Sequence, residues 1–444
     1  MRAARAPIGA AVALLLILWP ASPDASLRIE REVLPNGAVL LVSTQRALPM
    51  VVVNLAFRAG AVYEPPGQEG LAGLTASLLL RGTKRWSAGE AAREKDALGG
   101  EFGVDVGREL AWVSMRLLTR DLERGFAFLA EALLRPTFPE KEVVQMRQRA
   151  LDTLQRLEER PSWLANRLFL RTLYGDHPYG RIVKGTRESL QKIGREEVAA
   201  FHRSRYGARG SVLALVGDIS LARARALVMR HLGEWRPGRA PLERLPEPRP
   251  SSRFTVRKLH RPVAQSSIVL GNLGLRRDHP DFYAVRVMNY ILGGGGFESR
   301  ALRAIREERG LAYSVYSYFV GGLHGGFFHF GMQTRNPSAN QAIDLALKEI
   351  RRIREEPVSE RELADAKQFL TGNFPLRFST NRRIAQLLTS VELFGLGLDY
   401  MERYPRLIGA VSRSEVQRVA RKYLRPEQMV LAIVGNMEEA KLRY

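Results

Sequence analysis

The chain contains an internal repeat, and this repeat limits the possible folds more than any other feature. Segment 197–217 (EVAAFHRSRYGARGSVLALVG) matches segment 415–435 (EVQRVARKYLRPEQMVLAIVG) at a constant offset of 218 residues, with eight of 21 positions identical. In each copy a helical period gives way to a short, branched apolar run that ends on Val-Gly. That pattern predicts a helix end, a polar turn and a buried β-strand. Two homologous halves are therefore predicted.

A proline-rich segment separates the two copies of the repeat. Residues 235–252 (WRPGRAPLERLPEPRPSS) contain five prolines and many charges, a composition that suits an extended connector. Strands and helices alternate in the first half, and the predicted elements are strands at 38–42, 51–58 and 110–118 and helices at 121–134 and 140–159. Pro161 should stop the last of these helices. The predicted fold class is α+β: two homologous sheet-plus-helices domains, 26–234 and 253–444, joined by the linker at 235–252.

Residues 1–25 have the three-part pattern of a secretory signal peptide. Arg2 and Arg5 precede an apolar run from Ile8 to Trp19, and small and helix-breaking residues follow. The run is too short for a stable membrane span, although an uncleaved anchor is an alternative. We expect export, with cleavage between Ala21 and Ala25, and a periplasmic location if the host is a Gram-negative bacterium. No later segment is apolar enough to span a membrane, so the mature chain is expected to be soluble.

Cysteine content and charge exclude several classes of protein. The chain has no cysteine, which removes disulfides, thiolate metal sites and thiol catalysis. The formal net charge is +22, but the arginines are spread along predicted helices such as 350–356 (IRRIREE). This spread favours an arginine-rich solvated surface over a nucleic-acid site, with a preference for acidic partners or peptides as the alternative.

Residues 70–83 (GLAGLTASLLLRGT) resemble the zinc-binding helix of the pitrilysin/insulinase family, which typically reads GLAHxxEHxxxxGT. In active members the two histidines bind zinc and the glutamate is the general base. Here these positions are Gly73, Ala76 and Ser77, none of which can bind zinc or take a proton. The family's third ligand falls at about Asp152 or Thr153. The resemblance therefore implies a degenerate motif, no catalytic residue on this chain alone and no bound metal.

No other histidine motif replaces the lost one. None of the seven histidines begins an HxxEH or HExxH sequence, so a structural role is expected for each.

The second half keeps a pair that resembles the family's substrate-binding arginine and tyrosine. Arg306 and Tyr313 match it by type, spacing and context (REERGLAYSVYS). The resemblance implies that both reach the zinc site of an opposing subunit, where they bind substrate backbone and stabilise the tetrahedral intermediate. Without the resemblance, Arg306 would be expected to pair with Glu307 or Glu308, and Tyr313 to be a half-buried strand residue.

A run of four glycines precedes this pair. Gly293, Gly294, Gly295 and Gly296 are not followed by Gly-Lys-Ser/Thr, so a nucleotide-binding loop is not expected. The run resembles the glycine-rich, substrate-handling loop of the non-catalytic subunit of the mitochondrial processing peptidase. The alternative is a flexible helix-to-strand connection. The family's substrate-accepting edge strand is expected near 110–118.

Three functions follow from these features. The first is a non-catalytic subunit that forms a heterodimer with a zinc-bearing homologous chain and supplies Arg306 and Tyr313 to hydrolysis of a peptide substrate. The second is a peptide-binding or scaffold protein of the same fold without a peptidase role, similar to the core subunits of the respiratory cytochrome complex. The third is an anion-binding exported protein, which only the charge favours. A nucleic-acid partner is not expected.

Overall fold

The computed structural model of the protein describes residues 27–238 and 245–444. The predicted signal peptide lies outside the described residues, and so does the middle of the predicted linker. Its first residue, Trp235, packs in the first half: the ring contacts Phe57, and the indole N–H donates to the Tyr206 carbonyl oxygen at 2.8 Å. The domain boundary within 235–252 stays a prediction.

The described residues of the first half form six strands and eight helices. The strands are β1 (Glu30–Val33), β2 (Val39–Thr44), β3 (Met50–Phe57), β4 (Glu101–Val106), β5 (Ala111–Leu118) and β6 (Val212–Gly217). The helices are α1 (Leu71–Leu78), α2 (Ala88–Ala97), α3 (Leu122–Leu134), α4 (Glu140–Glu158), α5 (Pro161–Tyr174), α6 (Arg187–Lys192), α7 (Arg195–Arg205) and α8 (Leu221–Leu232). The strands and helices predicted for this half are confirmed, and Pro161, which stops α4, occupies the first position of α5.

The described residues of the second half form five strands and eight helices. The strands are β7 (Thr255–His260), β8 (Gln265–Leu273), β9 (Ala312–Gly321), β10 (Gly326–Arg335) and β11 (Val430–Gly435). The helices are α9 (Phe282–Asn289), α10 (Arg300–Leu302), α11 (Ala339–Glu355), α12 (Glu360–Gly372), α13 (Asn381–Leu393), α14 (Tyr400–Gly409), α15 (Arg413–Tyr423) and α16 (Met437–Ala440).

The two sheets have the same strand order, which confirms the repeat and the α+β fold. The first sheet is ordered β1-β2-β6-β3-β5-β4 and the second β7-β11-β8-β10-β9, so β1 is the one addition among the described strands. In the first sheet β6 pairs parallel with β2 and antiparallel with β3, and β11 pairs likewise with β7 and β8. Every residue of β6 and of β11 is buried, which explains their uninterrupted apolar sequences.

One identical residue of the repeat, a glutamate, begins the same helix in both halves. Glu197 accepts a hydrogen bond from the backbone N–H of Gly194 at 2.9 Å, and Glu415 accepts one from Ser412 at 2.8 Å. Each carboxylate satisfies a donor at a helix N-terminus that would otherwise lack a partner.

The two halves exchange equivalent helices. Helix α5 of the first half packs across β8 and β11 of the second sheet, while α13 of the second half packs across β3 and β6 of the first sheet. The two helices begin 220 positions apart, at Pro161 and Asn381, so they are counterparts within the repeat. The Asn54 side chain donates to the Thr389 hydroxyl at 2.9 Å under α13. Each half thus supplies part of the other half's core.

The edge of the first sheet differs from the prediction. Strand β5 is paired on both sides, with β3 and with β4, so the edge strand is β4 and not segment 110–118. On β4, Glu101 bonds to Arg116 and Arg382, a charged decoration of the kind that protects sheet edges. None of the described helices is long and apolar enough to cross a membrane.

Candidate functional site

Helix α1 carries the three positions at which the sequence analysis placed a degenerate zinc motif. Ala76 is buried, and the Ser77 hydroxyl donates back to the Leu74 carbonyl oxygen at 2.7 Å within the helix. A Cβ added at Gly73 would have the Val183 carbonyl oxygen, 3.8 Å away, as its nearest neighbour, so the position has room for a side chain. Position 73 therefore lacks a metal-binding side chain because its residue is glycine, and not because neighbouring groups leave no space for one.

The position of the third ligand lies on α4, which packs against α1. Asp152 is exposed and accepts a hydrogen bond from the Gln148 side chain at 2.9 Å, while the Thr153 hydroxyl donates to the Arg149 carbonyl oxygen. Within residues 27–238 and 245–444, no group of three His, Cys, Asp or Glu side chains is placed to hold a metal ion. This region therefore offers no donor set for zinc.

Histidines in the described residues have structural contacts. His202 Nε2 lies 2.9 Å from the Leu133 carbonyl oxygen, and His177 Nε2 lies 2.7 Å from the Pro246 carbonyl oxygen. The buried His329 ring stacks on Tyr318, with ring centroids 4.5 Å apart.

A buried glutamate holds the N-terminus of α1. Glu64 Oε1 accepts hydrogen bonds from the backbone N–H groups of Gly70 at 3.1 Å and Ala72 at 2.8 Å. Its Oε2 is buried and has no partner among the described residues. Burial raises the pKa of Glu64 to about 8, although the two N–H groups and Arg181 oppose this shift. The carboxyl is therefore mostly protonated at neutral pH.

Glu64 should make the protein less stable as the pH rises from about 4.5 to 8. A carboxyl whose pKa is raised by folding binds its proton more tightly in the folded state, so its stabilising contribution is full below the unfolded pKa and is lost above the folded pKa. Glu64→Gln keeps one acceptor for the N–H groups but cannot ionise. We expect the variant to gain stability relative to the wild type between pH 6 and pH 9, by about 1–3 kcal/mol.

Urea denaturation of both proteins at pH 6, 7.5 and 9 measures this difference. Glu159→Gln, at an exposed glutamate that follows α4, is the matched control. A wild-type-to-variant difference that stays constant over this pH range would show that Glu64 does not titrate there.

Three side chains of the second half form a cluster that we call the arginine clamp: Phe297, Arg306 and Tyr313. The Arg306 guanidinium lies over both rings, with its carbon 4.9 Å from the Phe297 centroid and 4.8 Å from the Tyr313 centroid. Both rings are exposed, Phe297 at 61% and Tyr313 at 81%. Two cation–π contacts thus hold the guanidinium at the surface while its N–H groups remain available to a ligand.

The structure corrects the alternative interpretation of this pair. Among the described residues Arg306 makes no ion pair, and in particular none with Glu307 or Glu308. Side chains one and two positions apart on a helix do not face each other, which is the physical reason. Tyr313 is not half-buried either, because it is the extra residue of a β-bulge: Ala312 pairs with Thr334 and Ser314 pairs with Gln333.

The four glycines bring Phe297 to Arg306. A Cβ at Gly293 would lie 2.6 Å from the Ser317 hydroxyl oxygen of β9, so only glycine allows the chain to pass this close to the sheet. Gly296 has a φ of +58°, which turns the chain into the 3₁₀ turn Gly296–Glu298. The run therefore shapes and anchors a loop, and Phe297 is the side chain that this loop presents.

Two short π-helices frame the clamp. They span Tyr290–Gly294 and Arg303–Glu307, and π-helical turns occur often at functional sites. Between them, the buried Arg300 binds Glu362 through two hydrogen bonds of 2.6 and 2.8 Å. Burial alone would raise the pKa of Glu362, but Arg300 and the Ser359 N–H lower it to about 2, so the pair stays ionised at neutral pH and fixes the base of the loop.

The clamp lies at one end of an unusual edge strand. Strand β9 (AYSVYSYFVG) is the last strand of the second sheet and has no charged residue or proline. Tyr316 and Tyr318 are partly exposed, and their rings stack in parallel with the ring of His329. Sheet edges are normally protected by charges, so an uncharged aromatic edge indicates an interaction surface.

Sequence analysis missed a buried polar contact between the halves. Glu109 Oε1 accepts hydrogen bonds from the backbone N–H groups of Leu323 at 2.6 Å and His324 at 3.2 Å, in the turn between β9 and β10, and from the Tyr179 hydroxyl. Burial raises the pKa of Glu109. These residues are far apart in the chain, and no local pattern marks their contact.

Comparison with protein families supports the assignment of both halves. Residues 39–187 match the model of the insulinase family (peptidase family M16), and residues 192–370 match the model described as the peptidase M16 inactive domain.

Two sequence relatives cover nearly the whole chain. A non-peptidase homolog, YmxG, of Helicobacter pylori is 27% identical over 423 residues, which are 94% of this chain and 96% of that protein. An uncharacterised zinc protease of Streptomyces coelicolor is 26% identical over 427 residues, 93% of this chain and 92% of that protein. Relatives of this chain are thus named both as proteases and as a non-peptidase.

Solved structures agree with the fold and the family. The crystal structure of a peptidase M16 inactive domain from Pseudomonas fluorescens has a TM-score of 0.87 and 30% identity, and covers 92% of this chain and 98% of its own. A protease from Helicobacter pylori, at 18% identity, shares the fold with a TM-score of 0.86. The chain therefore belongs to the insulinase family of peptidases, family M16, as a member whose motif helix carries Gly73, Ala76 and Ser77 in place of the motif's two histidines and its glutamate.

Proposed function

We propose that this chain is the non-catalytic subunit of a zinc metalloendopeptidase. It pairs with a homologous chain that has an intact HxxEH motif, and its arginine clamp contributes to the partner's active site during peptide hydrolysis. The observation that carries this proposal is the clamp itself: an arginine held between two exposed rings without an ion pair among the described residues. A guanidinium without a counter-charge at an exposed site is suited to a ligand from outside the chain.

The chemistry of the clamp suits peptide hydrolysis in trans. A guanidinium donates with a fixed geometry to a peptide carbonyl oxygen and to the oxyanion that develops from it, and a tyrosine hydroxyl can donate to the same oxyanion. The stacked rings set the direction of the Arg306 side chain before substrate arrives, which lowers the entropy cost of binding. Zinc, bound by the partner subunit, would supply the activated water.

Each of the two sites is built from elements of its own half. Helix α1 packs against α4, α7 and β4, which belong to the first half. The π-helix that carries Arg306 packs against α10, α11 and β9, which belong to the second half. Names of relatives are consistent with the proposal, since one is a non-peptidase homolog and one solved structure is an M16 inactive domain.

Zinc content and peptide cleavage test the proposal. We expect the mature chain alone to contain less than about 0.1 zinc per molecule and to leave an unstructured peptide intact, because α1 offers no ligand. Mixed with a zinc-bearing M16 chain from the same genome, it should form a stable complex and raise cleavage above that of the partner alone. Stoichiometric zinc with cleavage by the single chain would refute the proposal, as would the absence of any complex.

Export is part of the same proposal. The full-length chain should be found in the exported fraction of the cell, and removal of residues 1–25 should retain it inside. Equal distribution of both forms would contradict a signal peptide at this position.

A peptide-binding or scaffold role without peptidase function is a second candidate. The uncharged aromatic edge of β9 favours it, because an extended peptide can add to such a strand by main-chain hydrogen bonds. The two candidates differ in one outcome: substitution of Arg306 and Tyr313 leaves the biological role of a scaffold unchanged, but removes that of a complementing subunit.

A further inference from the structure

A second group of arginines lies at a cavity whose lining contains none of the three clamp residues. The cavity has a volume of about 630 Å³ and lies beside α13, between the 3₁₀ turn Phe374–Phe378 and the start of α14. Arg277, Arg377 and Arg383 line it together with apolar side chains such as Leu387 and Phe394. No acidic residue is among the described residues that line it. One side of the cavity is thus cationic and another is apolar.

The arginines around this cavity have no counter-charge among residues 27–238 and 245–444. Arg277 and Arg377, and Arg286 on the neighbouring α9, form no ion pair within the described part of the chain. One hydrogen bond connects these three guanidinium groups to the described protein, from Arg277 Nη2 to the Tyr400 hydroxyl at 2.8 Å. Arg277 Nη1 and Arg286 Nε are buried and have no hydrogen-bond partner in the part of the chain that the structure describes. Buried charges are normally paired, so this arrangement is costly for a protein that uses it for structure alone.

The positive charges of Arg286 and Arg277 both act on Arg377. Arg377 is exposed as a whole residue, yet burial of its guanidinium lowers the pKa of Arg377, and Arg286 and Arg277 lower it further. Arg277 is held in place by aromatic rings, 3.9 Å from the Phe282 centroid and 5.4 Å from that of Tyr400. Like charges held together in a fixed position are typical of a site that is completed by an anion.

We propose that this cavity binds an oxyanion, a carboxylate or a phosphate, carried on an apolar body. Guanidinium groups offer paired N–H donors that match the oxygens of either anion. The apolar wall would receive the rest of the ligand, because small-molecule sites combine a few polar groups with a mainly apolar lining. This proposal does not depend on the role of the arginine clamp or on a partner subunit.

Calorimetric titration of the mature chain with four probes tests the site. N-acetylleucine carries a carboxylate, butyl phosphate carries a phosphate, N-acetylleucinamide is the neutral counterpart of the first, and inorganic phosphate lacks an apolar body. We expect at least one of the two amphipathic anions to bind at least ten-fold more tightly than both N-acetylleucinamide and inorganic phosphate. Their relative affinities identify the preferred anion. Binding of the neutral amide at equal strength, or no binding of either amphipathic anion at 10 mM, would overturn the proposal.

Two variants separate binding from folding. Arg377→Gln, in the lining, should weaken binding of the preferred probe by about ten-fold, as expected for loss of a charge-assisted contact. Arg286→Gln removes a neighbouring positive charge outside the lining and should weaken binding by a smaller factor. Their thermal midpoints without ligand should be unchanged or higher, because each removes a like charge. Arg361→Gln is the matched control, since that side chain is 90% exposed on α12 and does not line the cavity. A lower thermal midpoint together with unchanged binding would assign these arginines a structural role and refute the site.

Discussion

Replacement of Arg306 by alanine should lower kcat/KM of the complex with a zinc-bearing partner by about 100- to 1,000-fold, the range measured for loss of one donor to a transition-state oxyanion. The zinc content of the complex should not change, because the substitution lies on the other chain. The effect is expected mainly in kcat, since the donors that matter most are those that meet charge developing in the transition state. Steady-state kinetics on an unstructured peptide, with zinc measured on the same sample, gives both quantities.

Two further variants show whether the geometry of the clamp is responsible. Arg306→Lys keeps the charge but not the planar fork, so its activity should lie between those of wild type and alanine variant. Arg309→Ala removes an exposed arginine three residues away and should have less than a two-fold effect. If Arg309→Ala is as damaging as Arg306→Ala, the loss comes from general surface charge, and the clamp has no specific role.

Local signals in the sequence predicted the framework of the fold. The repeat was visible because β6 and β11 are buried at every residue, which requires two uninterrupted apolar runs. The shared glutamate of the repeat was visible because both helices need the same N-terminal hydrogen bond. Such features depend on neighbours within a few residues.

The edge strand was placed one strand too far into the sheet. Strand β4 (EFGVDV) contains a glycine and two acidic residues, which are uncommon in strands, whereas β5 alternates buried and exposed residues clearly. The edge was therefore predicted at β5, where the alternation of buried and exposed residues is clearer. Edge strands often carry charged residues or bulges that protect the edge, and these interrupt the period.

Two of the three residues of the arginine clamp could be predicted. Arg306 and Tyr313 were found by type and spacing, but Phe297 belongs to a loop whose path depends on Gly296 and on two π-helices. No helical or strand period connects residue 297 to residue 306. Phe297 could therefore be recognised as a member of the clamp only from the structure. The exchange of α5 and α13 was hidden for a related reason: an amphipathic pattern shows that a helix has a buried face, but not which sheet covers it.

That exchange leads to the second large prediction. Phe169 on α5 is fully buried, and its ring contacts Phe327 at 6.1 Å and His329 at 5.6 Å on the second sheet. Gly271 makes room for it, since a Cβ there would lie 2.9 Å from the end of the Phe169 ring. Phe169→Ala should therefore lower the free energy of unfolding by about 3–5 kcal/mol, because it leaves a cavity between two rigid layers.

The loss of stability should affect both halves, although the Phe169 ring contacts only the second sheet. Helix α5 follows α4 of the first half directly and contacts it. If α5 detaches from the second sheet, its contacts within the first half are therefore weakened as well. Native-state hydrogen exchange should show β6 and β11 losing protection by a similar free energy. Phe369→Ala, at a position that is 48% exposed on α12, is the matched control and should cost less than half as much. If β11 alone loses protection while β6 keeps that of the wild type, the halves unfold independently, and the exchanged helices do not couple them.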